Sequence, residues 1–571
     1  MDKEVNDNGK QDRMRSYVSE LIFNNRDKIE INKDDIVLFV GPNNAGKSQA
    51  LNDIFSRCSN NSPTLVVSDI VIKKDGGSLK PLLDSVSRGD DKGNYITYNL
   101  NSHNINYVKD NGDEIFQRKA NYGEYRDLFV SKLTTESRLR ICQPARNISR
   151  NDVKDSPIHY AAFDYNHSKW LSENFKKAFD NNITPNILYG ATIPLCIGPE
   201  VKLTDSYESE VERQDAYAKK LESYKQVQMQ GDGIKSFTGI LLNLMTDHYS
   251  TYHIDEPEAF LHPPQARIMG QIIGQSLRND QQAFISTHSE NIIKGLLDTC
   301  EERLKIVRIT RSGDANCFSI LSNDKIKDVF SDPLLKHSNI ISSLFYKKIV
   351  LGESDSDCKL YSLIESHIKQ EQGAYSETFF IHCGGKQRMP KTAKALLSLN
   401  VDVRIIPDID ILNDEHTVKS IAEVFGISWD DIKSELKTLA ANLHSNKDKI
   451  DRENTKIIIN GILNSSKEKF LSSKEIKGIQ DLIKVTSKWN NIKHGGVNNI
   501  PSGDARKAYD NIEKIFRDHH IYLVPVGELE GFVREVGGHG PDWVNKVLET
   551  YPEFNSSVYG TIIEFIKRID L

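Results

Sequence analysis

The segment KKIVLGESDSDCKLYSLI, Lys347 to Ile364, ends an apolar run in a crowd of carboxylates: Glu353, Asp355 and Asp357. Further on, DVRIIPDIDIL carries Asp408 and Asp410. Clustered carboxylates repel one another, and the repulsion raises their pKa values. A hard divalent cation such as Mg²⁺ removes that cost, because it binds several carboxylate oxygens at once. Glu353 and Asp357 stand four apart, and Asp408 and Asp410 alternate about one strand end, so these four read as ligands of a metal site. One strand ending in an acid is usually only a solvated turn. Two such ends on successive strands point to metal.

A second kind of chemistry lies in DDIVLFVGPNNAGKSQALNDIF, which carries the pattern GxxxxGK[ST] on Gly41, Gly46, Lys47 and Ser48, with Asn44 inside the loop. Apolar Ile36 to Val40 supply the strand before it and Gln49 to Phe55 the helix after it, the context the pattern requires. Glycines let backbone N–H groups curl around phosphate, Lys47 reaches the terminal phosphates, and Ser48 offers a hydroxyl to Mg²⁺. In STYHIDEPEAFLHPPQ, Asp255 follows a short strand and would orient Mg²⁺, while Glu256 would act as general base or water positioner. QQAFISTHSENII is another apolar strand, ending in Ser286, Thr287 and His288, where a histidine can sense the terminal phosphate. Upstream, MQGDGIKSFTGILLNLM places Gly231 and Gly233 between a charged helix and an apolar one. That is either a second anion site at a helix N-terminus or a plain helix-turn-helix corner.

The elements that must position these groups are legible as strand–helix alternation, which defines an α/β protein. KKIVLGE, TFFIHCGG and DVRIIPDIDIL read as strands, with CKLYSLIESHIKQ and QRMPKTAKALLSLN as the helices between them. Both acidic groups then fall at the C-terminal ends of strands, where ligands bind in open parallel sheets. At 571 residues the chain is too long for one core, so two or more domains are expected. A polar connector around SNDKIKDVFSDPLLKHSN separates an N-terminal domain, 1–340, from a second, 345–571. The stretch from about 60 to 228 is expected to be an insertion serving dimerisation or partner contact. Within it YITYNL and INYVK read as strands and FDYNHSKWLSENFKKAF as a helix. Residues 413–520 read as a helical insertion with lysine-lined faces and Trp489, Lys493 and His494 beside a glycine turn, able to track DNA phosphates or simply solvated.

The order of phosphate loop, glycine-led helix, DEPE and histidine resembles the ABC-type ATPase heads of the RecF, SMC and Rad50 group. In that group the glycine signature completes the nucleotide site of a second subunit, which implies self-association through Gly231, Gly233, Lys235 and Ser236. Here Asp232 puts a negative charge where phosphate would approach. A strand with Glu, an acid four residues on and a strand with DxD resemble a Toprim domain, a Rossmann-like fold, although Ser354 stands where the family has glycine. CGGKQRM resembles the turn between those two motifs, with Lys386 as a phosphate contact or an ordinary loop residue. An ABC-type head followed by Toprim in one chain resembles the OLD (overcoming lysogenization defect) nucleases. That resemblance implies ATP and Mg²⁺ or Mn²⁺ as cofactors and DNA cleavage with two metals, Glu353, Asp408 and Asp410 being catalytic. It also implies a later acid, for which YLVPVGELEGFVREV offers Glu530, with Glu528 as alternative, and a basic residue for the phosphate, either Lys546 or Arg534. Relatives of this architecture occur in antiphage systems of the Gabija and retron-associated kinds, which would make a reverse transcriptase with its msDNA, or a helicase, a partner. The rival expectation is an ATPase repair or scaffold protein whose second domain only binds nucleic acid.

Composition sets the remaining bounds. The seven cysteines include no CxxC pair, so neither a zinc site nor a disulfide framework is expected, and a reducing cytoplasm fits best. No apolar run approaches the roughly twenty residues needed to cross a bilayer. A net charge of -6 means that any DNA surface is a local basic patch.

Overall fold

A computed structural model of the protein describes residues 14–571 apart from 61, 101–102, 204–206, 208, 247, 314, 322–338, 445–451, 465–469, 484–487 and 570. The expected connector falls almost wholly outside the described residues. The chain divides into two compact units, Met1–Ser331 and Asp332–Leu571.

The first unit is built on a six-stranded sheet. Its order is Ala315–Leu321, Leu304–Ser312, Ile36–Val40, Gln282–Ser286, Thr251–Asp255 and Val130–Leu133, parallel throughout except for the antiparallel pair formed by the first two. Ile36–Val40 and Gln282–Ser286 are buried along their whole length. That is why they read as continuous apolar runs rather than as alternating ones. Three of the sequence motifs follow the C-terminal ends of adjacent parallel strands, so register alone brings them together. A second sheet pairs Arg15–Phe23 antiparallel with Lys28–Glu30 and with Val67–Asp75.

The stretch from 60 to 228 is not one separate block. Val67–Asp75 belongs to the second sheet and Val130–Leu133 closes one edge of the central sheet. The two runs read as strands form a hairpin, Tyr95–Leu100 with His103–Val108, and the helix is Tyr165–Phe179.

The second unit has a three-stranded parallel sheet with Lys348–Gly352 between Thr378–His382 and Asp402–Ile406. Past its edge, Ile521 bridges Ile405 in parallel, and Val524 donates its N–H to the carbonyl of Pro407 at 3.2 Å. The third strand is shorter than its sequence suggests. It stops at Ile406, because Pro407 has no N–H to continue a ladder, and the DxD lies on the turn and 3-10 helix Ile409–Asn413 that follow. Residues 413–520 are helical where described, including Trp429–His444, Lys488–Gly495 and Asp504–Asp518. Among the described residues no helix is long and apolar enough to cross a membrane.

Candidate functional sites

In the first unit the phosphate loop runs between strand Ile36–Val40 and helix Lys47–Arg57. Gly41 has φ 142° and a Cβ there would lie 2.0 Å from the carbonyl of Ile309, so only glycine fits. Asn44 and Gly46 are both left-handed, at φ 59° and 100°. Lys47 is turned back onto its own loop, donating to the carbonyls of Gly41 at 2.9 Å and Pro42 at 2.7 Å. Burial pushes its pKa down to about 8, against the pull of Glu256, Glu258 and Asp255. Those two carbonyls hold the ammonium where a terminal phosphate would otherwise do so.

Asp255 gathers two hydroxyls on one oxygen: Ser48 Oγ donates to its Oδ1 at 2.8 Å, and Ser286 Oγ donates to the same atom. Hydroxyl and carboxylate oxygens are the hard donors that Mg²⁺ takes alongside phosphates, so this pair fits the ion. Glu256, at φ 47°, brings Oε1 within 3.4 Å of His288 Nε2. Burial, with Lys47 adding to it, pushes the His288 pKa down to about 4, so near neutral pH its ring is uncharged and meets Glu256 as a hydrogen-bonding group. Glu258, unmarked in the sequence reading, accepts from Thr287 Oγ1 at 2.9 Å and from the His288 N–H at 2.6 Å. It ties the histidine loop to the acidic turn.

Gly231 caps the helix Asp232–Leu244, and a Cβ on Gly233 would press within 2.6 Å of the carbonyl of Phe260. Asp232 is paired with Lys235 at 2.8 Å, which neutralises the charge that stood against an anion here. Ser236 is a correction: it is fully buried with its Oγ unpartnered, so it does not face a second copy.

In the second unit Glu353, Asp408 and Asp410 converge, one carboxylate oxygen from each lying within 4.8 Å of the others. Glu353 is fixed from both sides. Its Oε1 accepts from the N–H of Asp408 at 3.1 Å, and its carbonyl accepts from the N–H groups of Gly384 and Gly385 at 3.1 and 3.0 Å. Burial pushes its pKa up to about 7, with Asp410 and Asp357 adding to the rise, and burial together with Glu353 and Asp357 raises Asp408 well above the usual carboxylate range. Half-buried, mutually repelling oxygen donors are the set a hard divalent cation satisfies, so the residues fit Mg²⁺ or Mn²⁺.

Asp357 stands beside this group, adding to the rise at Glu353 and Asp408, and has a second task. It is the third residue of helix Asp355–Glu371 and closes a capping box, its Oδ2 accepting from the Ser354 N–H at 2.9 Å while Ser354 Oγ accepts from its own N–H. Glu530 joins a second group with Glu528 and His539. Its Oε1 accepts from the Gly540 N–H at 2.7 Å and lies 2.6 Å from His539 Nδ1. Burial raises the pKa of Asp357, and Glu530 adds to that rise.

Two of the basic candidates are held at the acids. Lys386 pairs with Asp410 at 3.1 Å, and Lys493 pairs with Asp410 at 3.4 Å and Glu528 at 3.7 Å. His494 Nδ1 lies 2.6 Å from Glu528, and Trp489 is buried. Gly527 permits this approach: it has φ 108°, and a Cβ there would lie 1.9 Å from the carbonyl of Lys493. Lys546 stays apart from the acids, its amine 3.5 Å from the carbonyl of Gly537, while Arg534 reaches the carbonyl of Gly495 at 3.2 Å.

Fold and site together define the first unit as a P-loop ATPase domain. A family model described as "AAA domain, putative AbiEii toxin, Type IV TA system" matches residues 36–294. The chain is similar to the Old nuclease of Escherichia phage P2, 20% identical over 167 residues, which span 28% of this chain and 28% of that relative. Among solved structures it is similar to an SMC head bound to the C-winged helix domain of ScpA, at 12% identity and TM-score 0.33, covering 54% of this chain and 99% of that one. It is likewise similar to MJ1267, an ATP-binding cassette of an ABC transporter, at 13% identity and TM-score 0.24, covering 57% and 96%.

Proposed function

We propose that the protein is an ATP-hydrolysing, divalent-metal-dependent DNA endonuclease whose second unit is a Toprim domain, acting in antiphage defence. The observation that carries the nuclease reading is the convergence of Glu353 with Asp408 and Asp410, across 55 residues of chain, onto one half-buried oxygen-donor cluster. The parallel order of the three strands and the similarity to the phage Old nuclease support it.

In the head, Lys47 leaves the carbonyls of Gly41 and Pro42 for the terminal phosphates when nucleotide enters. Ser48, Asp255 and Ser286 are the groups that would hold Mg²⁺ beside them, and Glu256 would take a proton from, or orient, the attacking water with neutral His288 at its carboxylate. The glycine turn at Gly231 and Gly233 serves the nucleotide of a second copy, which makes ATP a link between subunits.

In the second unit Glu353, Asp408 and Asp410 would hold a divalent ion, and Glu530 and Glu528, grouped with His539, would supply further oxygen donors. A bound Mg²⁺ or Mn²⁺ there supplies Lewis acidity and a water acidic enough to ionise near neutral pH. Lys386 and Lys493, already at Asp410, give positive charge to a phosphodiester entering the cluster. Supercoiled plasmid incubated with the wild-type chain and Mg²⁺ or Mn²⁺ tests this. Nicking that vanishes in Asp408→Ala is expected, whereas no cutting by the wild type under any nucleotide condition would leave an ATPase that only binds nucleic acid.

A further inference from the structure

The helix Thr135–Ile141 carries a residue that no motif marks. Arg138 is 0% exposed, and its guanidinium meets the acidic turn from the inside. Nη1 donates to the carbonyl of Asp255 at 2.5 Å and Nη2 to the carbonyl of Glu256 at 3.1 Å, with Thr135 Oγ1 a further partner at 3.3 Å. A planar fork of donors can hold two successive carbonyls in one geometry, which a single ammonium does poorly.

The peptide so held is strained. Glu256 sits at φ 47°, in the left-handed region that a residue with a Cβ occupies only when its surroundings over-determine it. Its N–H donates to the carbonyl of Ser286 at 3.0 Å, and its carbonyl also accepts from the N–H of Ala259 at 2.9 Å. Arg138 adds the cation that sits among Asp255, Glu256 and Glu258, opposing their repulsion within the fold.

The backbone of Arg138 is pressed against the glycine-led helix Asp232–Leu244. A Cβ on Gly239 would lie 2.4 Å from the Arg138 carbonyl oxygen and 3.0 Å from its Cα. The Cys142 thiol lies 3.1 Å from the carbonyl of Lys235, one turn nearer the glycines. One short helix therefore touches both the turn that carries Glu256 and the helix that carries Gly231 and Gly233.

We propose that Arg138 is a positioning residue for ATP hydrolysis, holding the Glu256 peptide in its left-handed geometry and coupling it to the glycine-led helix. The role rests on the ATPase reading of the head and extends it, since the general base is set by a side chain outside every nucleotide motif. A displacement of helix Asp232–Leu244, such as docking of a second copy would cause, reaches Glu256 through Arg138.

Full-length Arg138→Met, Arg138→Lys and Gly239→Ala chains test the role, with fluorescent-nucleotide Kd and ATPase kcat measured separately and the folded fraction taken from thermal melting. Ångström-scale misplacement of a base lowers turnover by about 100-fold, so Arg138→Met is expected to lose about that much in kcat. Its Kd should change by less than about threefold, because nothing that touches nucleotide has been removed. Arg138→Lys should recover about tenfold of the loss by restoring one charged hydrogen bond. Gly239→Ala should lower kcat without moving Kd, because it displaces Arg138 from behind. A kcat in Arg138→Met that stays within about threefold of wild type overturns the positioning role, as does a loss that only follows the folded fraction. A wild-type chain that turns over no ATP overturns the ATPase reading as well, an outcome told apart because the parent and not the variant is silent.

Discussion

Glu353 accepts a hydrogen bond through Oε1 from the N–H of Asp408, 3.1 Å away and 55 residues later in the chain. A half-buried carboxylate thereby fixes the turn that carries the other two acids, Asp408 and Asp410. The charge that the acids share is met by lysines from two other segments, Lys386 and Lys493.

Removing one of the three acids should separate chemistry from ATP turnover. Asp408→Ala is expected to lower plasmid nicking by about 100-fold or more, since a carboxylate at the reacting centre is lost. ATPase activity of the same protein should stay near wild type. Loss of both activities in a folded variant would contradict independent sites.

The acidic cluster should make metal response depend on pH. Glu353 keeps its proton in the folded chain up to about 7, against an ordinary value of 4.5, so between these values the folded state binds more protons than the unfolded one. Stability without metal therefore falls as pH rises through that window. Metal binds the ionised carboxylates, so the rise in Tm on adding Mn²⁺ should grow from about pH 5 to about pH 8. Calorimetric melting checks it, and a pH-independent rise would count against metal at these acids.

Glu353→Gln removes the charge but keeps most of the volume. The variant should stabilise the metal-free chain at alkaline pH by roughly 1 kcal/mol, because a mutually repelling buried charge disappears. It should also cancel most of the Mn²⁺-induced rise in Tm. Unchanged stability would mean that Lys386 and Lys493 already balance the cluster.

Lys47→Ala should weaken ATP binding by about 100-fold, the scale of a charge-assisted contact to phosphate. Mn²⁺ binding by the second unit, followed by electron paramagnetic resonance, should not change. Simultaneous loss of metal binding would show energetic coupling between the two activities.

Glu256→Gln should bind ATP and fail to hydrolyse it, trapping the bound state. If the turn at Gly231 and Gly233 serves a second copy, sedimentation of this variant should show a larger species with ATP than without. The same mass in both conditions would remove the shared-site reading.

Much of the architecture could be read locally. Gly41, Gly46, Lys47 and Ser48 declare a phosphate loop, because only that pattern turns backbone N–H groups toward an anion between a strand and a helix. The alternation from Lys348 to Ile406 announces parallel strands, and the acids at their ends announce a ligand. The run DVRIIPDIDIL was legible as a strand, yet Pro407 marks its end and could have been read as the stop.

Other assignments had no local signature. Asp357 stands four residues from Glu353, a ligand's spacing, and also three after Ser354, where one of its oxygens caps a helix; only packing shows that the same carboxylate still acts on Glu353 and Asp408. Lys386 and Lys493 resemble solvated lysines until the chain brings both to Asp410. Val130–Leu133 looks like part of an insertion and closes the edge of the central sheet.

Motif spacing and strand–helix periodicity are properties of neighbours along the chain, so they reveal which side chains could do chemistry. Tertiary structure alone decided which of them meet: Arg138 behind Glu256, Glu258 under His288, and Lys493 between Asp410 and Glu528. Those contacts join positions from 30 to 118 residues apart, and nothing in local preference encodes a distance that only packing of the whole unit creates.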